Sequence, residues 1–375
     1  MDYWVEPLRT GSPTMSARFL IYGANGYTGR LLVEEALRRG QRPLLGGRNA
    51  KAVEQLALAT GLEARCFSLE DHRAFDAALG EVDALLLAAG PFEETSRPAV
   101  DACLRTGTHY LDITGEIDVF EAVYARDAEA KARGVTLLPG VGFDVVPSDC
   151  LAKALGEALP SATVLELAFA SQGGVSPGTL RTMLRALPRG GRVRRGGRLR
   201  TCAVGEHVRE IRFRDATRSG VSIPWGDVAS AYRSTGITDI TVYMADDGGL
   251  LRALGLLERH RTSRALSLAL PRLERLLARA TPGPSLEARR RGRAQLWGRA
   301  SDPSGRAVEG TLTTPEGYTL TARVGVECAL RVADGKAKTG ALTPSMAFGA
   351  RFIEQFDGCD LRVPPPATGA SGETR

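Results

Sequence analysis

The order of apolar and polar positions predicts an alternation of strands and helices over the first 145 residues. The apolar run Phe19 to Tyr22 leads into a glycine-rich turn and then into a helical stretch, Arg30 to Arg39. The run from Val82 to Ala89 is almost entirely apolar and ends at Gly90 and Pro91, as expected of a parallel strand buried on both faces. This alternation predicts a doubly wound, Rossmann-type parallel sheet, whose ligands bind beyond the carboxyl ends of its strands.

The remaining predicted elements divide the chain into two parts. The first part contains helices 50–60, 73–79, 98–105 and 119–133 and strands 64–67, 108–113 and 135–138. Strand patterns dominate after residue 160, at 164–170, 210–213, 238–244, 294–300, 307–313 and 319–330. Because 375 residues exceed what one core usually serves, a second, sheet-rich domain is expected after the first.

The glycine-rich turn carries the most specific chemistry. Gly23, Gly26 and Gly29 are spaced by three between the first strand and the first helix. Gly23 permits a tight turn, Gly26 permits a close backbone approach by a ligand, and Gly29 permits close packing of the helix on the strand. The helix N-terminus adds unpaired N–H groups and the positive end of the helix dipole, so the turn predicts a pyrophosphate site and a bound nucleotide.

A second position indicates which nucleotide binds. About twenty residues beyond the turn, where the second strand should end, the chain reads Gly47, Arg48 and Asn49. A carboxylate there would hold a ribose 2′-hydroxyl, whereas an arginine suits a 2′-phosphate. Arg48 therefore favours NADP(H) over NAD(H), and the alternative is that Arg48 is one more exposed arginine.

Polar residues at the ends of later strands are the candidates for chemistry. Tyr110 lies within the strand 108–113, Glu116 follows it, and Asp144 lies on a glycine-flanked turn before a helix predicted at 150–159. A carboxylate at Asp144 can exchange a proton with a substrate, or it can be a structural turn residue. Ser148 and Asp149 are interpreted as caps of that helix.

Composition excludes several classes of function. Hydrophobic residues make up 43% and charged residues 25%, which is ordinary for a globular protein. The six cysteines contain no CxxC pair and the four histidines have no ligand spacing, so neither a metal site nor a disulfide framework is predicted. No signal-peptide pattern is visible in the first fifteen residues, so a cytoplasmic location is expected.

The net charge of +6 is concentrated in an arginine-rich run at 189–200, interpreted as a mobile, glycine-spaced loop. Such a loop could meet an acidic carrier protein or a coenzyme A phosphate, or simply be solvated. Nucleic acid is not expected, because no aromatic residues interleave with the arginines.

A leucine- and arginine-rich segment at 248–279 predicts two amphipathic helices, since its charges prevent it from spanning a bilayer. It could form a wall for an acyl chain or a peripheral membrane contact, or be buried against the second domain or a partner subunit.

Taken together, several ordered motifs resemble those of the saccharopine-dehydrogenase-like oxidoreductases, and within them the trans-acting enoyl reductases of polyketide and lipid assembly. The motifs are Gly23 to Gly29, Gly47 to Asn49, Ala89 to Phe92, His109 to Glu116, Gly142 to Asp149, Gly226 to Val228, Pro282 to Ser285, Glu316 to Thr321 and Gly340 to Pro344. Ser68 departs from the pattern, since members often have an acidic residue there.

The resemblance implies a domain organisation. It consists of an N-terminal tail (1–15), an NADP-binding Rossmann domain (16–145), a substrate and dimerisation α/β domain with a mixed, largely antiparallel sheet (146–343), a C-terminal helix returning to the first domain (344–358) and a flexible tail (359–375). A homodimer is expected.

The motifs and the resemblance together imply a set of site residues. Those expected to bind NADP(H) are Gly23, Ala24, Asn25, Gly26, Tyr27, Thr28, Gly29, Arg48, Asn49, Ala89, Gly90, Pro91, Phe92, Thr114 and Gly115. Those expected to supply the proton or orient the substrate are, in order, Asp144, Tyr110 and Glu116.

The predicted activity is an NADPH-dependent reduction of an activated C=C bond, on a small-molecule or carrier-bound acyl substrate such as an enoyl thioester. Two alternatives stay open. An imine reductase or saccharopine-type amino-acid dehydrogenase would need cations for substrate carboxylates, for which Arg181 and Arg185 are available. A non-catalytic sensor would bind NADPH without consuming it.

Overall fold

The computed structural model describes residues 19–171, 190–203, 205–246 and 283–365. The first half of the fold alternates strands and helices as predicted. Its elements are β1 (Phe19–Tyr22), α1 (Tyr27–Arg38), β2 (Leu44–Gly47), α2 (Ala50–Thr60), β3 (Ala64–Cys66), α3 (His72–Leu79), β4 (Ala84–Leu87), α4 (Phe92–Thr106), β5 (His109–Asp112), α5 (Ile117–Tyr124), α6 (Asp127–Arg133), β6 (Thr136–Leu138) and α7 (Val146–Ala158).

The second half is rich in strands. Its elements are β7 (Val164–Ser171), β8 (Gly191–Arg195), β9 (Arg198–Cys202), β10 (Val208–Arg212), β11 (Thr217–Ser222), α8 (Asp227–Thr235), β12 (Asp239–Ala245), α9 (Leu286–Arg291), β13 (Arg293–Ser301), β14 (Ala307–Pro315), α10 (Gly317–Ala333), β15 (Gly340–Ala341), α11 (Pro344–Phe348), a 3-10 helix (Phe352–Gln355) and β16 (Asp360–Arg362).

The first sheet has seven parallel strands in the order β15-β6-β5-β4-β1-β2-β3. The strand order reverses between β1 and β4, which makes the carboxyl ends of these strands the switch point where a ligand crevice forms. The four residues of β1 and the four of β4 are all buried, because helices cover both faces of the sheet. The predicted doubly wound Rossmann sheet is confirmed.

The second sheet has nine strands and is mixed. Its main order is β10-β11-β12-β7-β13-β14-β16, and β8 and β9 extend it beside β12. Among the described strands, only β7 and β12 run parallel, so the sheet is largely antiparallel, as predicted. Helix α7 packs on its inner face, where a Cβ on Gly298 would lie 2.6 Å from the Leu155 side chain.

One predicted strand is wrong: residues 319–330 belong to helix α10. Thr319, Thr321, Val324 and Val326 suggested a strand because β-branched residues favour one. However, the Glu316 carboxylate accepts from the amides of Tyr318 and Thr319 at 3.0 and 2.9 Å and so caps a helix. The buried residues recur at helical spacing, and α10 packs against α1, β4 and β5.

The arginine-rich run is also not the loop that was predicted. From residue 191 it forms the hairpin β8–β9, with Gly196 and Gly197 in the turn at φ values of +55° and +75°. Two glycines with positive φ are typical of a two-residue hairpin turn. Arg192 pairs with Asp118, and Arg194 with Glu121, so part of the charge binds the hairpin to α5.

Two predicted helices are interrupted. The helix expected at 119–133 is divided into α5 and α6. The one expected at 344–358 becomes α11 and the 3-10 helix, separated by Gly349 with a φ of +92°. The amide of Ser345 in α11 donates to Asp149 in α7 at 2.7 Å.

Several predictions concern residues outside the described ranges. They include the N-terminal tail 1–15, Arg181 and Arg185, the segment 248–279 and the end of the C-terminal tail. Within the described ranges, no helix is long and apolar enough to cross a membrane.

Candidate active site

The turn between β1 and α1 forms a cradle of backbone groups. Gly23 has a φ of +88°, which side chains disfavour, and its amide donates to the carbonyl of Gly46 at 2.8 Å. A Cβ on Gly29 would lie 2.1 Å from the Gly23 carbonyl oxygen, whereas a Cβ on Gly26 would meet only that oxygen, at 3.2 Å. Gly23 and Gly29 therefore shape the turn itself, while Gly26 keeps the space above it open.

The N-terminus of α1 opens onto this cradle. Gly26 is its N-cap residue, and no side chain in the described part of the protein caps the helix. The first amides of α1, from Tyr27 onward, therefore lack the partners that a helix interior provides and can bind phosphate oxygens. The residues fit a dinucleotide pyrophosphate, which the backbone of 23–29, including Ala24, Asn25 and Thr28, would hold.

The Tyr27 side chain contacts residues of the second half of the chain. Its hydroxyl donates to the carbonyl of Pro284 at 2.6 Å, and its ring lies edge-on to Tyr318 at 5.1 Å. A Cβ on Gly283 would lie 2.7 Å from that ring. Burial raises the pKa of Tyr27 to about 12. Tyr27 thus ties the phosphate turn to the segment that precedes α9.

Arg48 and Asn49 follow β2, and their side chains differ in the contacts they make. Asn49 is the N-cap of α2, and its side chain accepts from the amide of Ala52 at 3.2 Å. Arg48 is exposed, and its guanidinium makes no hydrogen bond or ion pair with other described residues. It lies near Tyr22, whose pKa is raised by burial and partly lowered again by the Arg48 charge. A cation here is available for a 2′-phosphate.

The loop after β4 is held by Glu116. The peptide between Gly90 and Pro91 is cis, and α4 begins at Phe92. The two Glu116 carboxylate oxygens accept from the amides of Phe92 and Glu93 at 3.2 and 2.9 Å. The hydroxyl of Thr114 in turn accepts from the Glu116 amide at 3.1 Å. Glu116 thus fixes the loop containing Ala89–Phe92 against the loop after β5.

Tyr110 and Asp112 form a buried network beneath these loops. The Tyr110 hydroxyl, with no exposed surface, donates to Asp112 Oδ2 at 2.5 Å. Asp112 Oδ1 accepts from the amides of Thr114 at 3.0 Å and Gly140 at 2.8 Å. Burial raises the pKa of Asp112 to about 6. Tyr110 therefore has no surface to offer a substrate and positions the two loops through Asp112.

Asp144 lies at the carboxyl end of the sheet, beside Gly115. A Cβ on Gly115 would lie 3.0 Å from Asp144 Oδ2, so this carboxyl group rests directly on the backbone of the loop after β5. Its oxygens make no hydrogen bond with other described residues, and burial raises the pKa of Asp144 to about 6. The indole N–H of Trp225 donates to the Asp144 carbonyl at 2.9 Å. Asp144 is therefore a partly buried carboxyl group whose oxygens have no hydrogen-bond partner among the described residues.

An aromatic wall borders Asp144 and was missed in the sequence. The ring of Phe169 lies 6.5 Å from that of Phe143 and 4.9 Å from that of Trp225. Phe169 comes from β7 on the inner face of the second sheet, so the wall joins the two sheets. The motif containing Gly226 was the available signal, because a Cβ on Gly226 would lie 3.0 Å from the Gly115 oxygen.

The interpretation of Ser148 and Asp149 as helix caps is wrong. Helix α7 begins at Val146, and no side chain of the described residues caps it. The Ser148 hydroxyl instead contacts the Val145 carbonyl at 3.0 Å and Asp227 Oδ1 at 2.6 Å. Both side chains lie in the first turn and face other elements.

Cysteines and metals play no visible part. All six cysteines are free thiols. In the described part of the chain, no group of histidine, cysteine, aspartate and glutamate side chains could hold a metal ion.

Residues 19–138 match the family model described as the saccharopine dehydrogenase NADP binding domain. This segment is a saccharopine dehydrogenase NADP-binding domain. The matched segment includes the cradle, Arg48 and Glu116, which follows β5. The resemblance found in the motifs is therefore confirmed. The chain is an NADP-dependent oxidoreductase, and its cofactor is NADP(H).

Relatives extend the likeness beyond this domain. A Mycobacterium tuberculosis protein provisionally named a trans-acting enoyl reductase is 26% identical over 95% of this chain and 96% of its own length. A trans-acting enoyl reductase of Mycobacterium leprae is 32% identical over 35% of this chain, and that match spans only 33% of the M. leprae protein.

The fold agrees with that of a solved relative. Saccharopine dehydrogenase (L-Glu forming) from Saccharomyces cerevisiae superposes with a TM-score of 0.62, covering 93% of this chain and 100% of the yeast protein at 12% identity. At this identity the likeness concerns the fold alone.

Proposed function

We propose that the protein is an NADPH-dependent reductase that transfers hydride to an activated C=C bond, on an enoyl thioester or a related unsaturated lipid- or polyketide-type intermediate. The observation that carries this proposal is the placement of Asp144: a carboxyl group whose oxygens have no hydrogen bond with other described residues, next to an aromatic wall, at the carboxyl end of an NADP-binding sheet.

The surroundings of Asp144 support an apolar substrate. The rings of Phe143, Phe169 and Trp225 pack together, and the Trp225 indole N–H binds the Asp144 carbonyl, so apolar surface adjoins this carboxyl group. An acyl chain can bury apolar area against such a wall at about 25 cal/mol per Å². The full-length relative named as an enoyl reductase supports the same substrate class.

Different residues around the site would bind the cofactor and supply a proton to the substrate. The cradle at 23–29 would hold the pyrophosphate and Arg48 the 2′-phosphate, while Ala89–Pro91 and Gly115 would border the nicotinamide. NADPH, when bound, supplies the hydride. Hydride addition to the β-carbon of an enoyl thioester leaves negative charge on the α-carbon and the carbonyl oxygen. Asp144 in its acid form would deliver a proton to that α-carbon, and a pKa near 6 suits this task at neutral pH.

We propose further that the acyl group arrives on an acidic carrier or on coenzyme A. Arg198 and Arg200 on β9 are exposed, and their side chains form no hydrogen bond or ion pair with other described residues. This leaves two cations on an exposed strand for an anionic partner. The homodimer and the cytoplasmic location stay predictions.

A turnover screen with a variant of Asp144 tests the activity. Wild-type protein should oxidise NADPH in the presence of 2,3-unsaturated acyl thioesters and less readily with cyclic imines. Asp144→Asn should keep its affinity for NADPH but lose roughly a hundredfold or more in kcat, because the general acid is removed.

The matched control is Asp302→Asn. Asp302 is a buried carboxylate in the turn between β13 and β14, where it accepts from Ser161 and Ser304. Its replacement should leave kcat unchanged. Oxidation of NADPH by an imine but by no enoyl thioester would overturn the proposed reaction. Unchanged turnover in Asp144→Asn would assign the proton to another source.

A further inference from the structure

The start of helix α10 holds the residues that precede Asp144. The Phe143 amide donates to the Thr321 hydroxyl at 2.9 Å. Thr321 has only 8% of its surface exposed, and a Cβ on Gly142 would lie 3.2 Å from the Thr321 methyl carbon. Gly317 leaves room for the Phe143 ring, because a Cβ on Gly317 would lie 3.1 Å from that ring. The chain before Asp144 is therefore fixed by both packing and a hydrogen bond from α10.

Trp225 holds the other side of Asp144. Its indole N–H donates to the Asp144 carbonyl at 2.9 Å, and its ring lies 4.9 Å from that of Phe169. The Asp144 carboxyl group rests on the backbone of Gly115, and its oxygens make no hydrogen bond with other described residues. The backbone on either side of Asp144, rather than its own carboxyl oxygens, therefore receives the hydrogen bonds that set its position.

This arrangement suits a proton donor. A catalytic group must be held within about 0.5 Å of its productive position. Hydrogen bonds to the carboxyl oxygens would also hold it, but they would favour one protonation state over the other. Holding the backbone fixes the carboxyl group and leaves its oxygens able to lose and regain a proton.

The start of α10 also contacts the phosphate turn. The ring of Tyr318 lies edge-on to that of Tyr27 at 5.1 Å, and Tyr27 is the first residue of α1. One short stretch of chain thus contacts both the turn that would hold the pyrophosphate and the segment that carries Asp144. Hydride donor, substrate and proton donor must be aligned to react, so a shared support sets the position of Asp144 relative to the cofactor.

We propose that Thr321 is a positioning residue: together with Trp225, it holds Asp144 by the backbone at the place from which its carboxyl group reaches the substrate. This inference rests on the proposed function, in which Asp144 supplies the proton. It gives a role to the motif Glu316 to Thr321, which the cofactor site does not use.

Substitutions of Thr321 test this role with an enoyl thioester as probe. Valine has the shape of threonine but cannot accept from the Phe143 amide, so Thr321→Val should lose roughly tenfold or more in kcat with an unchanged KM for NADPH. Thr321→Ser keeps the hydroxyl and should retain wild-type kcat. Unchanged kcat in Thr321→Val would overturn the proposal.

The matched control is Thr235→Val. The Thr235 hydroxyl likewise accepts a backbone amide, that of Ile237, at 3.1 Å. Thr235 ends α8, about 12 Å along the helix from its first residue at 1.5 Å per residue. Its replacement should leave kcat unchanged.

A double-mutant cycle shows whether Thr321 acts through Asp144. Asp144→Asn already lacks the acid, so adding Thr321→Val to it should cause no further loss of kcat. Trp225→Phe keeps an aromatic ring and removes the N–H, and it gives a second cycle with the same expectation. Losses that add to that of Asp144→Asn would overturn the proposal.

Hydrogen exchange of the Trp225 indole N–H tests the backbone contacts without any substrate. Its signal in a nitrogen-15 spectrum is identified by its loss in Trp225→Phe. Exchange should be roughly tenfold faster in Thr321→Val, because the Asp144 carbonyl is less firmly held, and unchanged in Thr321→Ser and Thr235→Val. Equal exchange in Thr321→Val and wild type would overturn the proposal.

The two proposals fail separately. If no enoyl thioester oxidises NADPH in the wild-type protein, the proposed function fails, whereas exchange of the Trp225 indole still decides whether Thr321 holds the backbone at Asp144.

Discussion

Asp112 and Asp144 have similar pKa values because burial raises both, but the two carboxyl groups have different roles. Burial raises the pKa of both Asp112 and Asp144 to about 6. Asp112 accepts three hydrogen bonds, from Tyr110, Thr114 and Gly140, and so organises two loops. Asp144 makes none with its carboxyl oxygens among the described residues, so its protonation can change without breaking a contact. Hydrogen bonding rather than pKa therefore distinguishes Asp112, which has a structural role, from Asp144, which we propose as the proton donor.

The raised pKa of Asp144 predicts a pH-dependent stability cost. Its folded pKa, about 6, lies above the ordinary value of 3.8, so the penalty for burying the charge is absent below about pH 4 and complete above about pH 6. Asp144→Asn should therefore unfold at the same urea concentration as wild type at low pH. Above pH 6 it should be more stable by an amount on the order of 2 to 3 kcal/mol. A stability difference that does not vary with pH would show that Asp144 is not desolvated.

Arg48 predicts selectivity for the phosphorylated cofactor. Its guanidinium is exposed and makes no hydrogen bond or ion pair with other described residues, so it can bind the 2′-phosphate of NADPH without losing another contact. A charge-assisted bond of this kind contributes roughly 1.5 to 3 kcal/mol, or about ten- to a hundredfold in Kd. Arg48→Ala should weaken NADPH by that factor and leave NADH nearly unchanged in a fluorescence titration. Equal loss for both cofactors would remove Arg48 from the 2′-phosphate site.

At the scale of elements, the turn between β1 and α1 shows how one glycine motif serves two purposes. Gly29 lies where any Cβ would collide with the backbone of Gly23, whereas Gly26 lies where a Cβ has room. The spacing alone predicts a phosphate turn but does not separate the glycine that builds the turn from the one that leaves space for the ligand.

This difference predicts opposite behaviour for two variants. Gly26→Val should fold with a wild-type circular dichroism spectrum and lose NADPH binding in calorimetry, because its side chain occupies the ligand space. Gly29→Ala should lose stability, by more than the few tenths of a kcal/mol typical of an exposed helix position, because its Cβ would lie 2.1 Å from a carbonyl oxygen. Normal NADPH affinity in folded Gly26→Val would mean that the glycines serve the turn only.

At the scale of the whole molecule, one hydrophobic core crosses from the first sheet to the second. It contains Ile21 and Leu86 of the first sheet together with Leu167 and Leu296 of the second. Helix α10 follows a strand of the second sheet but packs on the first, where a Cβ on Gly325 would lie 2.9 Å from Leu32. The last strands divide in the same way, β15 in the first sheet and β16 in the second.

This shared core predicts a single unfolding transition. Unfolding of either sheet would expose the apolar surface that it shares with the other, so both should unfold together. Tryptophan fluorescence, which reports on Trp225 and Trp297 among the described residues, should give the same urea midpoint as far-ultraviolet circular dichroism. Two separate transitions would show that the sheets are independent units.

Features that depend on local sequence were predictable. The Rossmann alternation, the glycine turn and Arg48 each arise from residues close together in the chain, where apolar periodicity and glycine spacing act directly. The same holds for β7, β10, β12, β13 and β14 of the second sheet, whereas β8, β9, β11 and β16 were not predicted and the strand expected at 319–330 is wrong. In the segment 319–330 the β-branched residues favour a strand, but the packing of α10 on α1 and the cap at Glu316 stabilise a helix.

The tertiary structure alone decided which polar residues can act. The sequence predicted Asp144, Tyr110 and Glu116, in that order, as polar groups able to act at the site, yet Tyr110 is buried on Asp112 and Glu116 binds the amides of α4. Trp225 and Phe169 lie next to Asp144 in the fold although they are distant from it in the sequence. Burial and hydrogen bonding depend on neighbours that only folding brings together, so the sequence by itself determined the cofactor and the fold class, and the packing of two sheets determined the geometry around Asp144.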